Sequence, residues 1–247
     1  MTQDPCSFTY AHFRRIFESA LENGYQVVTL AEYFAGDYDA EKPLLVNRMD
    51  VDLAPDRLWE IGGIFRELGI RGSFYFRLHA PQYNLLRFDT IAMVRWLAEA
   101  GNEIGLHAEL MDLEGVCGVE PRRALAAELG LMRDVLGCEV VGAASHGDAT
   151  AYNNLDFWKA NPPADFGLRY EAYDERLWKA CRYVSDSNYT WKAYDQGELR
   201  AGDKRCACRH FADGQRVVCV ALHSDSYFRR YVHEGHVPAS GLAGAGA

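Results

Sequence analysis

L-L-V-N-R-M-D-V-D, from Leu44 to Asp52, is the stretch that decides the fold. It reads as a buried strand that runs into polar side chains at its C-terminal end. In parallel α/β architectures that end is where active sites are built. Asp50 and Asp52 are two positions apart, so on a strand they point the same way. About fifty residues on, G-N-E-I-G-L-H (Gly101 to His107) repeats the pattern and delivers an imidazole at its end. Two carboxylates on one face and a histidine from a neighbouring strand suit a divalent cation and a general base. The plainer alternative is that Asp50 or Asp52 caps a helix opening at Ala54-Pro55-Asp56. A cap needs one aspartate, however, and does not account for His107.

Outward from these strands the chain alternates. Phe13, Phe17 and Leu21 share a helical stripe that Gly24 ends, and Gln26 to Leu30 is a short β-like run. Pro55 opens a helix with Leu58, Ile61, Phe65 and Leu68 at helical spacing, stopped by Gly69. Ser73 to Leu78 alternates like a strand. Asp89 is placed to cap a helix that Gly101 terminates, and Glu103 to Leu106 is a strand. Pro121 begins a helix closed by Gly137, and Glu139 to Ala144 is a strand followed by Ser145-His146-Gly147. From Ala149 to Gln215 aromatic and charged residues mix without a clean period, as in long loops that shape a cleft or a partner interface. Arg216 to Leu222 is a strong strand ending at His223. This β-α-β alternation predicts an α/β fold with a parallel sheet, either a barrel or doubly wound. Residues 1–236 are read as one domain and residues 237–247, V-P-A-S-G-L-A-G-A-G-A, as a flexible tail.

Bulk properties narrow the class. With 247 residues, 49% hydrophobic and 25% charged, the chain resembles ordinary globular proteins and needs no disulfide support. A formal charge of −9 without a Lys/Arg run argues against nucleic acid as a partner. No run of about 18 apolar residues is present to span a membrane. The N-terminus lacks the features of a secretory signal, and an odd seven cysteines fit a reducing cytoplasm. Cys206 and Cys208 form a C-A-C pair with no second pair at zinc-finger spacing, which argues against a structural metal there without excluding one.

Three strands end in a histidine: His107, His146 and His223. A histidine taken singly is more often structural than a ligand, but in a barrel these strand ends converge on one mouth. His12, His210, His233 and His236 lack that placement and are read as surface residues. Zinc accepts an Asp oxygen and His nitrogens and keeps a position open for water in catalytic sites. A nearby carboxylate can take the water's proton, so such a set hydrolyses amides or esters. The chain has no G-x-S-x-G elbow, and no nucleotide-binding glycine motif follows a strand. Asp50 and Asp52 stand too close for the spacing of an inverting glycosidase pair.

R-M-D-V-D and G-N-E-I-G-L-H resemble the first two motifs of the polysaccharide deacetylase superfamily, carbohydrate esterase family four with its NodB-like domain. A-L-H-S-D (Ala221 to Asp225) and Y-V-S-D-S-N-Y-T-W (Tyr183 to Trp191) are similar to its later motifs. The resemblance covers roughly Val27 to Phe228 and points to a divergent bacterial branch linked to O-antigen or other surface-glycan biosynthesis. It implies a distorted (β/α) barrel and a cytoplasmic, metal-dependent N-deacetylase. The expected metal is zinc, with nickel or cobalt as alternatives, and the partner is an acetylated amino-sugar substrate. A catalytically inactive, carbohydrate-binding relative is the alternative. By the resemblance Asp50 is the base, Asp52 and His107 are metal ligands, His223 is the acid and Asp186 orients it. Met111 stands where the family's further histidine is expected, and His146, or else Glu109, takes that ligand's place. The family's third-motif arginine has no counterpart; Arg48 serves substrate binding in its stead or neutralises the two carboxylates. Trp191 walls the sugar pocket or sits in the core.

Overall fold

Alternate residues of the Leu44–Val51 strand face two different environments, and this split organises the molecule. In the computed structural model, which describes residues 7–147 and 150–229, all eight residues of this strand are buried. In chain order the elements are α1 (Tyr10–Glu22), β1 (Gln26–Val28), α2 (Leu30–Ala35), β2 (Leu44–Val51), α3 (Leu58–Leu68), β3 (Ser73–Phe76), α4 (Phe88–Glu99), β4 (Glu103–Ala108), α5 (Leu110–Cys117), α6 (Pro121–Leu131), β5 (Gly142–Ser145), β6 (Tyr170–Glu171), α7 (Glu175–Trp178), β7 (Arg182–Ser185), β8 (Lys192–Asp195), β9 (Glu198–Leu199) and β10 (Val217–His223). Single-turn helices join several of them, and α6 runs on into a π-turn at Met132–Leu136.

The sheet order is β6-β5-β4-β3-β2-β10-β7-β8-β9, with β1 beside the first half of β2. Pairing is parallel from β6 through to β7, and the β7-β8-β9 end is antiparallel. The α/β class and parallel-rich sheet match the expectation. The strand path itself is open: among the described residues its ends are β6 and β9, and β6 does not pair with β7. β6 is only two residues long, and the chain then turns into α7, which Asp174 caps through the Arg176 N–H. Rings stand where a ladder would close the sheet, with Tyr173 6.1 Å and Trp178 4.9 Å from Tyr183 between centroids.

Leu45, Met49 and Val51 face outward into a core shared with Phe13, Phe17 and Phe65 of the covering helices. Val46 faces inward with Tyr75, Tyr170, Tyr183 and Cys219, and Arg48 and Asp50 continue that inner face upward. The inner tyrosines fit because Gly105 and Gly142 carry no side chain. A Cβ on Gly142 would overlap the Tyr170 ring, and one on Gly105 would overlap Tyr75. The two hydroxyls lie 2.6 Å apart, and the buried Glu103 accepts from Tyr170, from Ser73 Oγ (2.6 Å) and from the Ala31 N–H (2.9 Å). Gly142→Ala is therefore expected to destabilise the fold by about 1–3 kcal/mol through overpacking, seen as a lower urea midpoint with an unchanged m-value.

Several local expectations differ. Residues after Val28 form α2 rather than strand, because Thr29 accepts from the Glu32 N–H and Glu32 accepts from the Thr29 N–H in a capping box. Helix α5 went unpredicted. Asp89 does not cap α4; Arg87 holds the N-cap position and Asp89 lies in the first turn. β5 starts at Gly142, three residues later than predicted. His12 and His210, expected at the surface, are buried at 8% and 0% exposure. His12 faces inward from α1, and His210 lies against Arg182, Nδ1 to Nη1 3.1 Å. The predicted tail, with His233 and His236, lies outside the described residues. No helix among the described residues is long and apolar enough to cross a membrane.

Candidate metal centre and active site

Strand register places the site. On β2, Asp50 is level with His223 of β10 and with Tyr75 of β3, which is level with Gly105 of β4. Two residues above Gly105 is His107, so its imidazole rises to the height of Asp52. His107 in turn is level with Ala144 of β5, and His146 lies two residues above that. Parallel strands with one pleat direction thus bring side chains from distant segments to one end of the sheet.

There His107 Nε2 lies 3.2 Å from Asp52 Oδ1 and 3.5 Å from Asp50 Oδ2. His146 Nε2 lies 3.7 Å from the same Asp52 oxygen. The donor atoms of Asp52, His107 and His146 all fall within 4.8 Å of one another. Neither aspartate caps a helix: Ala54 holds the N-cap position of the next turn with φ 48° and no side-chain bond.

The remaining ring atoms face groups outside the cluster. His107 Nδ1 donates to the Ala144 carbonyl at 2.8 Å, which leaves the Nε2 lone pair facing Asp52. His146 Nδ1 faces Glu109 Oε1 at 3.3 Å, and Arg77 Nη2 donates to that oxygen at 2.6 Å. This arrangement fits a cation. A tetrahedral metal with N and O donors near 2.0–2.1 Å sets its ligands about 3.4 Å apart, close to the separations found. His107 is held through its other nitrogen, the usual outer arrangement for a histidine ligand. Asp52 Oδ1 is buried and meets no hydrogen-bond geometry, as an atom awaiting a ligand would be.

Arg48 lies beneath the site, 1% exposed, and grips Asp50 with two bonds of 2.8 Å, Nε to Oδ1 and Nη2 to Oδ2. Its guanidinium sits 4.6 Å from the Tyr173 ring centroid. Burial opposes ionisation of Asp50, but the Arg48 charge outweighs it and holds the carboxyl below its ordinary range. Burial likewise opposes ionisation of Asp52, and the neighbouring His107, His223 and His146 overcome it. Glu109, raised by burial and lowered further by His146 and Arg77, ends at about 2.

His223 Nδ1 meets Asp186 Oδ1 at 2.5 Å, and its Nε2 faces Asp50 Oδ2 at 4.0 Å and Asp52 Oδ2 at 3.9 Å. Burial would lower its pKa, but Asp186, then Asp50 and Asp52, push it up to about 10. A raised histidine favours the folded state below its unfolded value of about 6.5, and that stability is lost as pH climbs through the folded value. NMR titration of the metal-free protein is expected to show a high His223 midpoint. Asp186→Asn should lower it by at least about 1 unit; an unchanged midpoint would contradict Asp186 as its main partner.

A cavity of about 500 Å³ opens over this cluster, lined by Asp50, Asp52, Arg77, His107, His146 and His223 among others. Trp191 is not among its lining residues; it is 6% exposed and stacks on Phe8 at 5.6 Å. Arg48 does not line it either, and Met111 packs against the core. Sequence reasoning missed Arg77, because the alternation reads on to Leu78 whereas the strand ends at Phe76 and leaves Arg77 just beyond it. It also missed Asn188 and Tyr189, which line the cavity with positive φ of 54° and 53°. Such backbone strain gathers at functional sites, but no side-chain pattern announces it. A second cavity of about 840 Å³ adjoins the first, sharing Tyr173 and Ser187, with Trp158, Trp178, Tyr183 and Tyr194 among its lining residues.

No protein-family model matches the chain, and no curated protein matches it. Among solved structures it is similar to a mutant of BA3943 from Bacillus anthracis, described as a CE4 family pseudoenzyme with restored enzymatic activity, at 9% identity and TM-score 0.44 over 76% of this chain. The chain spans only 60% of that protein. It is similar to IcaB from Ammonifex degensii at 14% identity and TM-score 0.43, over 64% of this chain and 75% of that one. A third is the Xyl-CE4 domain of a multidomain xylanase from the hindgut metagenome of Trinervitermes trinervoides, at 11% identity and TM-score 0.43, over 83% and 84%. The chain is thus similar, at low identity, to solved structures described as CE4.

Proposed function

We propose that this chain is a metal-dependent N-deacetylase that removes an acetyl group from an acetamido sugar of a surface-glycan precursor, working in the cytoplasm on a distorted barrel. The observation that carries the reading is the Asp52–His107–His146 donor set with two differently tuned groups beside it, Asp50 bound to Arg48 and His223 bound to Asp186. The donor set suits zinc, with nickel or cobalt as alternatives. When bound, the cation would polarise the acetyl carbonyl and make water acidic enough for a weak carboxylate to deprotonate.

The chain's own residues divide the remaining work. Arg48 keeps Asp50 ionised and aimed into the cavity, so Asp50 accepts the proton of the attacking water. His223, held charged by Asp186, donates a proton to the nitrogen as the C–N bond breaks, which yields acetate and an amino sugar. Opposed protonation states in two groups 4.0 Å apart are what a base and an acid require. Tyr173, Trp158 and Trp178 offer ring faces to the sugar in the adjoining cavity. The acidic balance of the chain leaves no basic footprint for nucleic acid.

Acetate release from acetylated amino sugars, presented free, nucleotide-linked, lipid-linked and polymeric, tests the proposal. Turnover that depends on an added divalent ion supports it. A protein that binds the ion and the sugar but releases no acetate from any form is the inactive, carbohydrate-binding alternative.

A further inference from the structure

A second cluster of metal-capable side chains lies outside the cavity, at the junction of α1 with the turn Ala207–Arg209. His12 Nε2 lies 3.6 Å from Cys208 Sγ, and Cys208 Sγ lies 2.7 Å from Cys206 Sγ. The three donor atoms fall within 4.8 Å of one another. None of the three lines the catalytic cavity. Cys206 is 1% exposed and His12 8% exposed, so the cluster is a built interior feature.

We propose that His12, Cys206 and Cys208 bind a structural zinc ion that staples α1 to the 200–213 segment. Two thiolates and an imidazole are soft donors that favour zinc. With Zn–S near 2.3 Å and Zn–N near 2.0 Å, a tetrahedral ion sets nitrogen and sulfur about 3.5 Å apart and two sulfurs about 3.8 Å apart. The nitrogen–sulfur edge already matches, and the sulfur–sulfur edge must open by about 1 Å, within reach of cysteine χ1 rotation. The fourth corner is open to water. The C-A-C pair lacked a partner in sequence because its third donor comes from nearly two hundred residues away.

The staple has a structural consequence. Ser19 Oγ already donates to the Cys208 carbonyl at 3.1 Å, and the Trp191 ring stands edge-on to His12 at 6.3 Å. Trp191 follows closely on Asn188 and Tyr189, which wall the catalytic cavity. Fixing α1 against this segment stiffens that wall without placing a ligand in the cavity.

The test uses the full chain loaded with Co(II) after removal of native metal, under reducing conditions. A sulfur-to-cobalt charge-transfer band in the near ultraviolet is expected, absent in Cys206→Ser and Cys208→Ser and retained in His107→Ala. The Asp52–His107–His146 set has no thiolate and cannot give this band, so loss of the catalytic proposal would leave the signal intact. Should the cysteine variants fail to fold, titration of the zinc-loaded wild type with an organomercurial decides: release of one zinc equivalent per chain as thiols react supports the site. No charge-transfer band in the wild type, or no zinc released by the mercurial, overturns it. So does a Cys206–Cys208 disulfide in protein purified under reducing conditions.

Discussion

Asp52→Ala and His107→Ala are each expected to abolish tight binding of one divalent ion and to reduce acetate release to background. The expectation follows from how few donors the site offers. Asp52 Oδ1 is the atom both imidazoles face, at 3.2 and 3.7 Å, and among the described residues no other carboxylate oxygen lies as close to both. Removing it leaves two imidazoles, too few to hold an ion against water. Removing His107 leaves an aspartate and His146, whose ring is also drawn toward Glu109. Glu109→Gln is the contrasting variant. It faces His146 from the far side at 3.3 Å and should cost only the roughly tenfold to hundredfold in affinity that loss of a group outside the ligand set costs. Isothermal titration with Zn(II) or Co(II), read beside acetate release, separates the cases. A Glu109 variant as damaged as the Asp52 variant would make Glu109, rather than His146, the third ligand. Full activity in Asp52→Ala would remove the metal proposal altogether.

The part of this site that was legible in the sequence is the part that obeys strand periodicity. Asp50, Asp52, His107, His146 and His223 sit at or just beyond the C-terminal ends of apolar runs, and a parallel sheet brings such ends together without any tertiary knowledge. Arg77 lies just past the true end of β3, but the alternation of Phe74, Phe76 and Leu78 hides that end by continuing beyond it. Asn188 and Tyr189 follow a different logic, since their positions depend on backbone strain that no side-chain pattern encodes. The burial of His12 and His210 was likewise invisible. Each is enclosed by segments remote in sequence, Cys208 for the first and Arg182 for the second. Trp191 carried two readings in the sequence, and the structure sets it on Phe8. The open path of the sheet was the least legible feature, because the strands at its two sides, β6 and β7, are only two and four residues long.

Asp50→Asn should do the opposite of the ligand variants: retain the ion yet lose turnover by about 10²–10⁴-fold, the usual contribution of a positioned base. Both Asp50 oxygens are held by Arg48, and its nearer approach to His107 Nε2 is 3.5 Å against 3.2 Å for Asp52, so the ion's donors survive the change. What is lost is the carboxylate charge. An amide cannot take the proton from water, and it leaves the buried Arg48 guanidinium, which has no other carboxylate bonded to it among the described residues, without its counter-charge. The variant should therefore also be less stable. Arg48→Met/Asp50→Asn, which removes the buried cation together with the carboxylate, should recover part of that stability while recovering no activity. Such a split separates a residue needed for chemistry from one needed only for folding: if the double variant regained turnover with stability, Asp50 would be a structural partner of Arg48, and the base would have to be sought elsewhere in the cavity, with Asp225 a further carboxylate that lines it.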